Sequence, residues 1–244
     1  MCKAISQWGI ELKGAEEGLN AWRIELKPPF DPFVEEIGHE QGKYLALRSD
    51  VFKMITSSEE ANRVAKNLLS VLNVIMSKNA DVDPLSRGAV IEFVENGRPR
   101  KHHIIEAEPI IMRLRGFPAD LKMVDAQVNV IEPPPKPSEA QLWMRAATLE
   151  PELGRALSYL EGKPGWVELY KSYEAIRALP NGGISKTEMA RFAQTANASE
   201  RHHPSEKYKP NKNPMELWEA RVFITRWIAG SINCINSHNS DSML

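Results

Sequence analysis

The chain has 244 residues, of which 42% are apolar and 26% charged, and its formal net charge is −1. That composition supplies enough core to fold without disulfides or structural metal. Basic and acidic residues number 18 and 20 up to Pro137, then 13 and 12 after it, so neither part has the positive excess of a dedicated nucleic-acid binder.

The two cysteines, Cys2 and Cys234, lie near opposite ends and show no metal-ligand spacing. This usage fits a reducing compartment. No apolar run of signal-peptide type follows Met1. The longest apolar stretch, Leu68 to Met76, is interrupted by Ser70 and Asn73 and is too short to span a bilayer. The expectation is a cytoplasmic protein without a membrane partner.

The first half reads as strands with one buried face. Trp22, Ile24 and Leu26 alternate with Arg23, Glu25 and Lys27. Ile110, Met112 and Leu114 alternate with Arg113 and Arg115, and Val124, Ala126, Val128 and Val130 with Asp125, Gln127 and Asn129. Glu95-Asn96-Gly97-Arg98 is a hairpin signal, because Asn-Gly accepts positive φ at both turn positions. Pro99 directs that hairpin toward an edge or a wider loop. One helix interrupts the strands. Ser57 and Glu60 make a capping box, and Ala61, Val64, Ala65, Leu68, Leu72, Ile75 and Met76 form one apolar stripe.

Four prolines within 133–137 break the chain into two parts. Beyond them the pattern is helical. Ser138 and Gln141 cap a helix carrying Leu142, Ala146 and Leu149. Pro151 starts a second, with Leu153, Ala156, Leu157 and Leu160 buried. Trp166, Leu169, Tyr170, Tyr173 and Ile176 line a third. Ser185 and Glu188 cap a fourth, carrying Met189, Phe192, Ala193 and Ala196. Asn213, Pro214 and Glu216 open a fifth, carrying Leu217, Ala220, Ile224, Trp227 and Ile228. The expected architecture is α+β: a mostly antiparallel sheet with one packed helix over 1–132, a proline linker at 133–137, a helical bundle over 138–235 and a disordered tail at 236–244.

Two basic clusters are candidate sites. The loop between the fourth and fifth helices holds Arg201, His202, His203, Glu206 and Lys207. A histidine there can move protons near neutral pH, while Arg201 and Lys207 hold phosphate. Glu174 would orient His202, with His203 as a second proton-transfer group. Lys171, Asn197 and Arg191 would complete the binding surface. The bland reading is a solvated connector, with Lys171 and Glu174 a surface ion pair. A metal site from His202, His203 and Glu206 is disfavoured, because adjacent histidines rarely converge on one ion. The other cluster is Arg98, Arg100, Lys101, His102 and His103. In-register pairing would set Glu95 opposite Arg98 and Glu92 opposite Lys101, as cross-strand ion pairs. No GxGxxG, P-loop, GxSxG or HExxH motif occurs, and no cofactor or metal is expected.

The second half resembles a group of bacterial proteins that carry no assigned activity. The resemblance rests on Trp166 with Leu169-Tyr170-Lys171 and Glu174, on Thr195-Ala196-Asn197, on Arg201-His202, and on Pro214-Met215 with Leu217 and Glu219-Ala220. It covers about 140–232, with a looser likeness around Ala61 to Asn73. A weaker resemblance is to HEPN-type helical domains, which often act as RNases or RNA binders in defence and toxin systems. Those use an Arg followed a few residues later by a His. Here Arg191 precedes His202 by eleven positions, and the one short interval, Arg98 to His103, lies in the strand-rich half. The resulting expectation is a non-enzymatic binding or regulatory protein of the bacterial stress or phage-defence kind. An RNA-binding protein or metal-independent RNase using the helical-domain loop is the alternative. A protein, RNA or a second copy of the chain are the partners this allows.

Overall fold

In the computed structural model the described residues are 8–39, 42–79, 82–94, 98–104, 135–180, 183–198 and 212–241. Trp8–Lys13 (β1), Phe33–His39 (β2), Gly42–Arg48 (β3), Ser86–Glu92 (β4) and Arg100–His102 (β5) form one antiparallel sheet. Its order is β2-β3-β1-β4-β5. Among the described residues seven α-helices accompany it: Glu16–Glu25 (α1), Ser58–Asn79 (α2), Glu139–Leu149 (α3), Pro151–Ser158 (α4), Trp166–Ile176 (α5), Lys186–Ala198 (α6) and Leu217–Asp241 (α7). The fold is α+β, with the helices mostly C-terminal. No helix among the described residues is long and apolar enough to cross a membrane.

Period two orients the sheet. Trp8, Ile10 and Leu12 of β1 point to one buried face, and Ile10 stands beside Leu47 of β3 and Val90 of β4. α2 packs there. The Ser57 hydroxyl accepts from Glu60 N–H at 3.2 Å, as its cap pattern requires. Ala61, Ala65, Leu68, Leu72, Ile75 and Met76 are all buried. Leu69 and Val71 are buried too, because α2 packs against α3 and α4 as well as the sheet. A single cluster of buried side chains therefore runs from Trp8 to Ile235.

The junction of sheet and helices is built on a proline-rich loop. Pro28, Pro29 and Pro32 have no N–H, so the carbonyls around them lack local partners. Gln141, on the first turn of α3, supplies them. Its Nε2 donates to the carbonyls of Lys27, Phe30 and Pro32 at 2.8, 3.1 and 3.0 Å. Its Oε1 accepts from Ser138 N–H, while the Ser138 hydroxyl accepts from Gln141 N–H. Asp31 fixes the loop from the other side, accepting from Asp50 N–H and the Ser49 hydroxyl. Burial pushes its carboxyl above the ordinary range, against those hydrogen bonds.

Three sequence expectations change, and a fourth group falls outside the described residues. Trp22 to Leu26 is not a strand: the segment through Glu25 belongs to α1, with Trp22 and Leu26 buried and Ile24 52% exposed. Residues 22 and 26 lie one helical turn apart, so a helix buries both as well as a strand would. The β4–β5 pairing is antiparallel as expected, but its register differs by one. Arg100 stands opposite Glu92, and Lys101 opposite Ile91. Lys101 instead reaches Glu11 of β1 at 2.9 Å, and His102 pairs with Glu92 at 3.1 Å. The tail expected to be disordered from Asn236 continues α7 to Asp241. The strands expected at 110–115 and 124–130 and the turn at 95–97 lie outside the described residues.

The Glu11–Lys101 pair gives the fold a pH signature. Burial opposes the Glu11 carboxylate, but hydrogen bonds from Lys101 and Ala89 N–H and the charges of Lys101 and Lys13 hold it below its ordinary 4.5. A carboxyl depressed in the folded state stabilises above its unfolded pKa and loses that contribution as pH falls through the folded value. The stability gap between wild type and Glu11→Gln should thus be full at neutral pH and shrink below pH 4.5. Urea unfolding across that range measures it, and a gap independent of pH would contradict the assignment.

Candidate functional site

The loop with the strongest sequence signals, including Arg201, His202, His203, Glu206 and Lys207, lies outside the described residues. Its two ends are described, and they are clamped together. The Thr195 hydroxyl on α6 accepts from Met215 N–H at 3.1 Å and donates to the Arg191 carbonyl. Arg191 sends Nε to the Asn213 carbonyl at 2.8 Å and one terminal nitrogen to the Pro214 carbonyl at 3.0 Å. Both terminal nitrogens also meet the Glu219 carboxylate, a forked geometry that suits guanidinium and carboxylate. The Arg191 hydrogen bonds hold the half-buried Glu219 carboxyl below the ordinary range. Arg191 therefore joins α6 to the entry of α7, and most of its donors are already engaged.

The other expected partners stand elsewhere. Lys171 and Glu174 share one exposed face of α5 and line a shallow cleft of about 190 Å³ with Glu152, Arg155 and Tyr159 of the α4 side. Lys171 Nζ sits 5.7 Å from the Tyr159 ring centre. The neighbouring face of α5 carries Trp166, Tyr170 and Tyr173 into an aromatic cluster with Phe192, Phe223 and Trp227, with centroids 5.2–6.5 Å apart. Lys171 and Glu174 thus form one group, toward α4, and Arg191 belongs to another, at the α6–α7 clamp. Asn197 is half-buried at the end of α6. Among the described residues, no three His, Cys, Asp or Glu side chains gather as a metal site would require.

The second basic cluster is partly neutralised. Lys101 and His102 are matched by Glu11 and Glu92, whereas Arg98, Arg100 and His103 are exposed.

Several residues that carried the sequence resemblance have a physical role here. Trp166, Leu169, Ala196, Met215 and Ala220 are core. Thr195, Pro214 and Glu219 are contacts of the clamp. Of the tryptophans that α5 and α7 carry, Trp166 and Trp227 are buried at 8% and 0%, while Trp218 is 66% exposed. Val222, one turn beyond Trp218, is 57% exposed. The sequence marked all three tryptophans alike; only the fourfold spacing from Trp218 to Val222, offset from Ala220, Ile224 and Trp227, hints at an outer stripe. Comparison with protein-family models, curated proteins and solved structures gives no match.

Removing the Thr195 hydroxyl tests the clamp. Thr195→Val preserves shape and leaves the buried Met215 N–H unpaired, so it should destabilise by about 1–3 kcal/mol. Thr195→Ser should cost less. Equal losses in urea unfolding would show that the methyl, not the hydroxyl, matters.

Proposed function

We propose that this chain is a binding module whose contact surface is the outer stripe of α7, led by Trp218 and Val222. One observation supports this above the rest. Trp218 is held in water on the first turn of α7, between two contacts that fix that turn: Met215 to Thr195 and Glu219 to Arg191. A large aromatic on a preorganised helix loses little conformational freedom on docking, and tryptophan is enriched among residues that dominate interface energy. The matching partner is a protein offering an apolar groove to a helix. The remaining exposed apolar residues, such as Ile24 and Met54, lie far away in sequence and on other elements.

The RNA alternative rests on the helical-domain loop, whose central residues lie outside the described ones; of its described contacts, Arg191 faces the Glu219 carboxylate.

Trp218→Asp separates these readings. It places an acid in the first turn of a helix, where the helix dipole favours it, so stability should change by less than about 0.5 kcal/mol. In affinity capture, a defined protein should be retained by wild type and by Ile24→Asp but lost with Trp218→Asp. Capture of the same proteins by all three baits would overturn the proposal. Retention of RNA in place of protein would favour the alternative.

A further inference from the structure

Beside that stripe, α7 turns different residues toward α2. Between the end of α2 and helices α3, α4, α5 and α7 lies a cavity of about 210 Å³. Its floor is apolar: Trp143, Leu157 and Leu169 are 4%, 1% and 0% exposed. Its polar groups include two cations, Lys78 and Arg221, with the Thr225 hydroxyl between the α7 turns. None of the described lining residues is acidic.

Both cations are positioned. Lys78 Nζ lies 4.0 Å from the centre of the Trp143 ring. Arg221 Nε donates to the Pro164 carbonyl at 2.9 Å, which fixes the guanidinium plane and leaves its two terminal nitrogens for another acceptor. Among the described residues neither makes an ion pair with a carboxylate. Partial burial of its amine pulls Lys78 below its ordinary 10.5, with the charge of Glu139 opposing. Two cations beside an apolar floor, with no acid among them, gain most from an anion that brings its own apolar surface.

We propose that this cavity binds a small organic carboxylate, its carboxylate between Lys78 and Arg221 and its apolar body on Trp143, Leu157 and Leu169. The size is appropriate, because a cavity of about 150 Å³ accommodates benzene. A phenylacetate- or octanoate-sized acid is the class expected. The apolar floor favours this over a strongly hydrated inorganic anion. Such a ligand would bridge α2 and α7, and so the sheet and the helices. The proposal stands apart from the contact surface above, and its test needs no protein partner.

The test is calorimetric titration of the full chain with sodium phenylacetate, sodium octanoate and the neutral phenylacetamide. Phenylacetate should bind one site, at least about tenfold more tightly than the amide. Arg221→Gln and Lys78→Gln should each weaken it by about tenfold. Lys78 lies on the exposed side of α2, so its variant should keep the wild-type circular dichroism and melting profile even if Arg221→Gln unfolds. Absence of binding by both acids, equal binding of acid and amide, or unaltered affinity in a folded Lys78→Gln would overturn the proposal.

Discussion

The fold turns on the side chain of Gln141. A loop containing Pro28, Pro29 and Pro32 brings carbonyls against the start of α3 without enough N–H groups to match them. One buried amide, 3% exposed, meets three of these carbonyls. Its two hydrogens are shared among them as three-centre bonds. The same residue closes the capping box that starts α3. Its oxygen and nitrogen are therefore both engaged, and the start of α3 is set by the path of the loop. Leaving the buried Pro32 carbonyl unpaired would alone cost more than a surface contact returns.

From that anchor the remaining packing follows. α3 lies against α2 and α7, and α2 also covers the sheet. α7 in turn is held by its contacts to α6 and by Arg221 to Pro164. Its inner face completes the aromatic cluster, and its outer face carries Trp218 and Val222 into water. The proposed contact stripe and the proposed acid site are thus two faces of one helix whose position is fixed by the core.

Much of the helical part was legible in the sequence. The caps at Ser57, Ser138 and Ser185, and the three- and four-residue apolar steps, are local signals, and local geometry decides them. What failed was non-local or under-determined. Trp22, Ile24 and Leu26 form too short a window to separate a strand from a helix. The hairpin strands pair antiparallel as anticipated but one residue out of register, and Lys101 finds Glu11 at a separation of 90 residues. Arg191 reads as a free cation until Glu219, 28 residues on, folds against it. Gln141 reads locally as a cap, but the partners of its amide stand more than 100 residues earlier. Likewise, nothing local tells exposed Trp218 from buried Trp227. As for the proposed catalytic loop, its central residues lie outside the described structure, and only its clamped ends bear on it.

The central claim, that the Gln141 amide couples the sheet to the helices, is tested most directly by native-state hydrogen exchange on Gln141→Met. Methionine keeps the length of the side chain and removes the amide. The account predicts that amides of Ile10 and Leu47 in the sheet and of Ile224 and Ile228 in α7 lose protection together, by about 2–3 kcal/mol. Loss of protection in α7 alone, with the sheet amides at wild-type values, would contradict it.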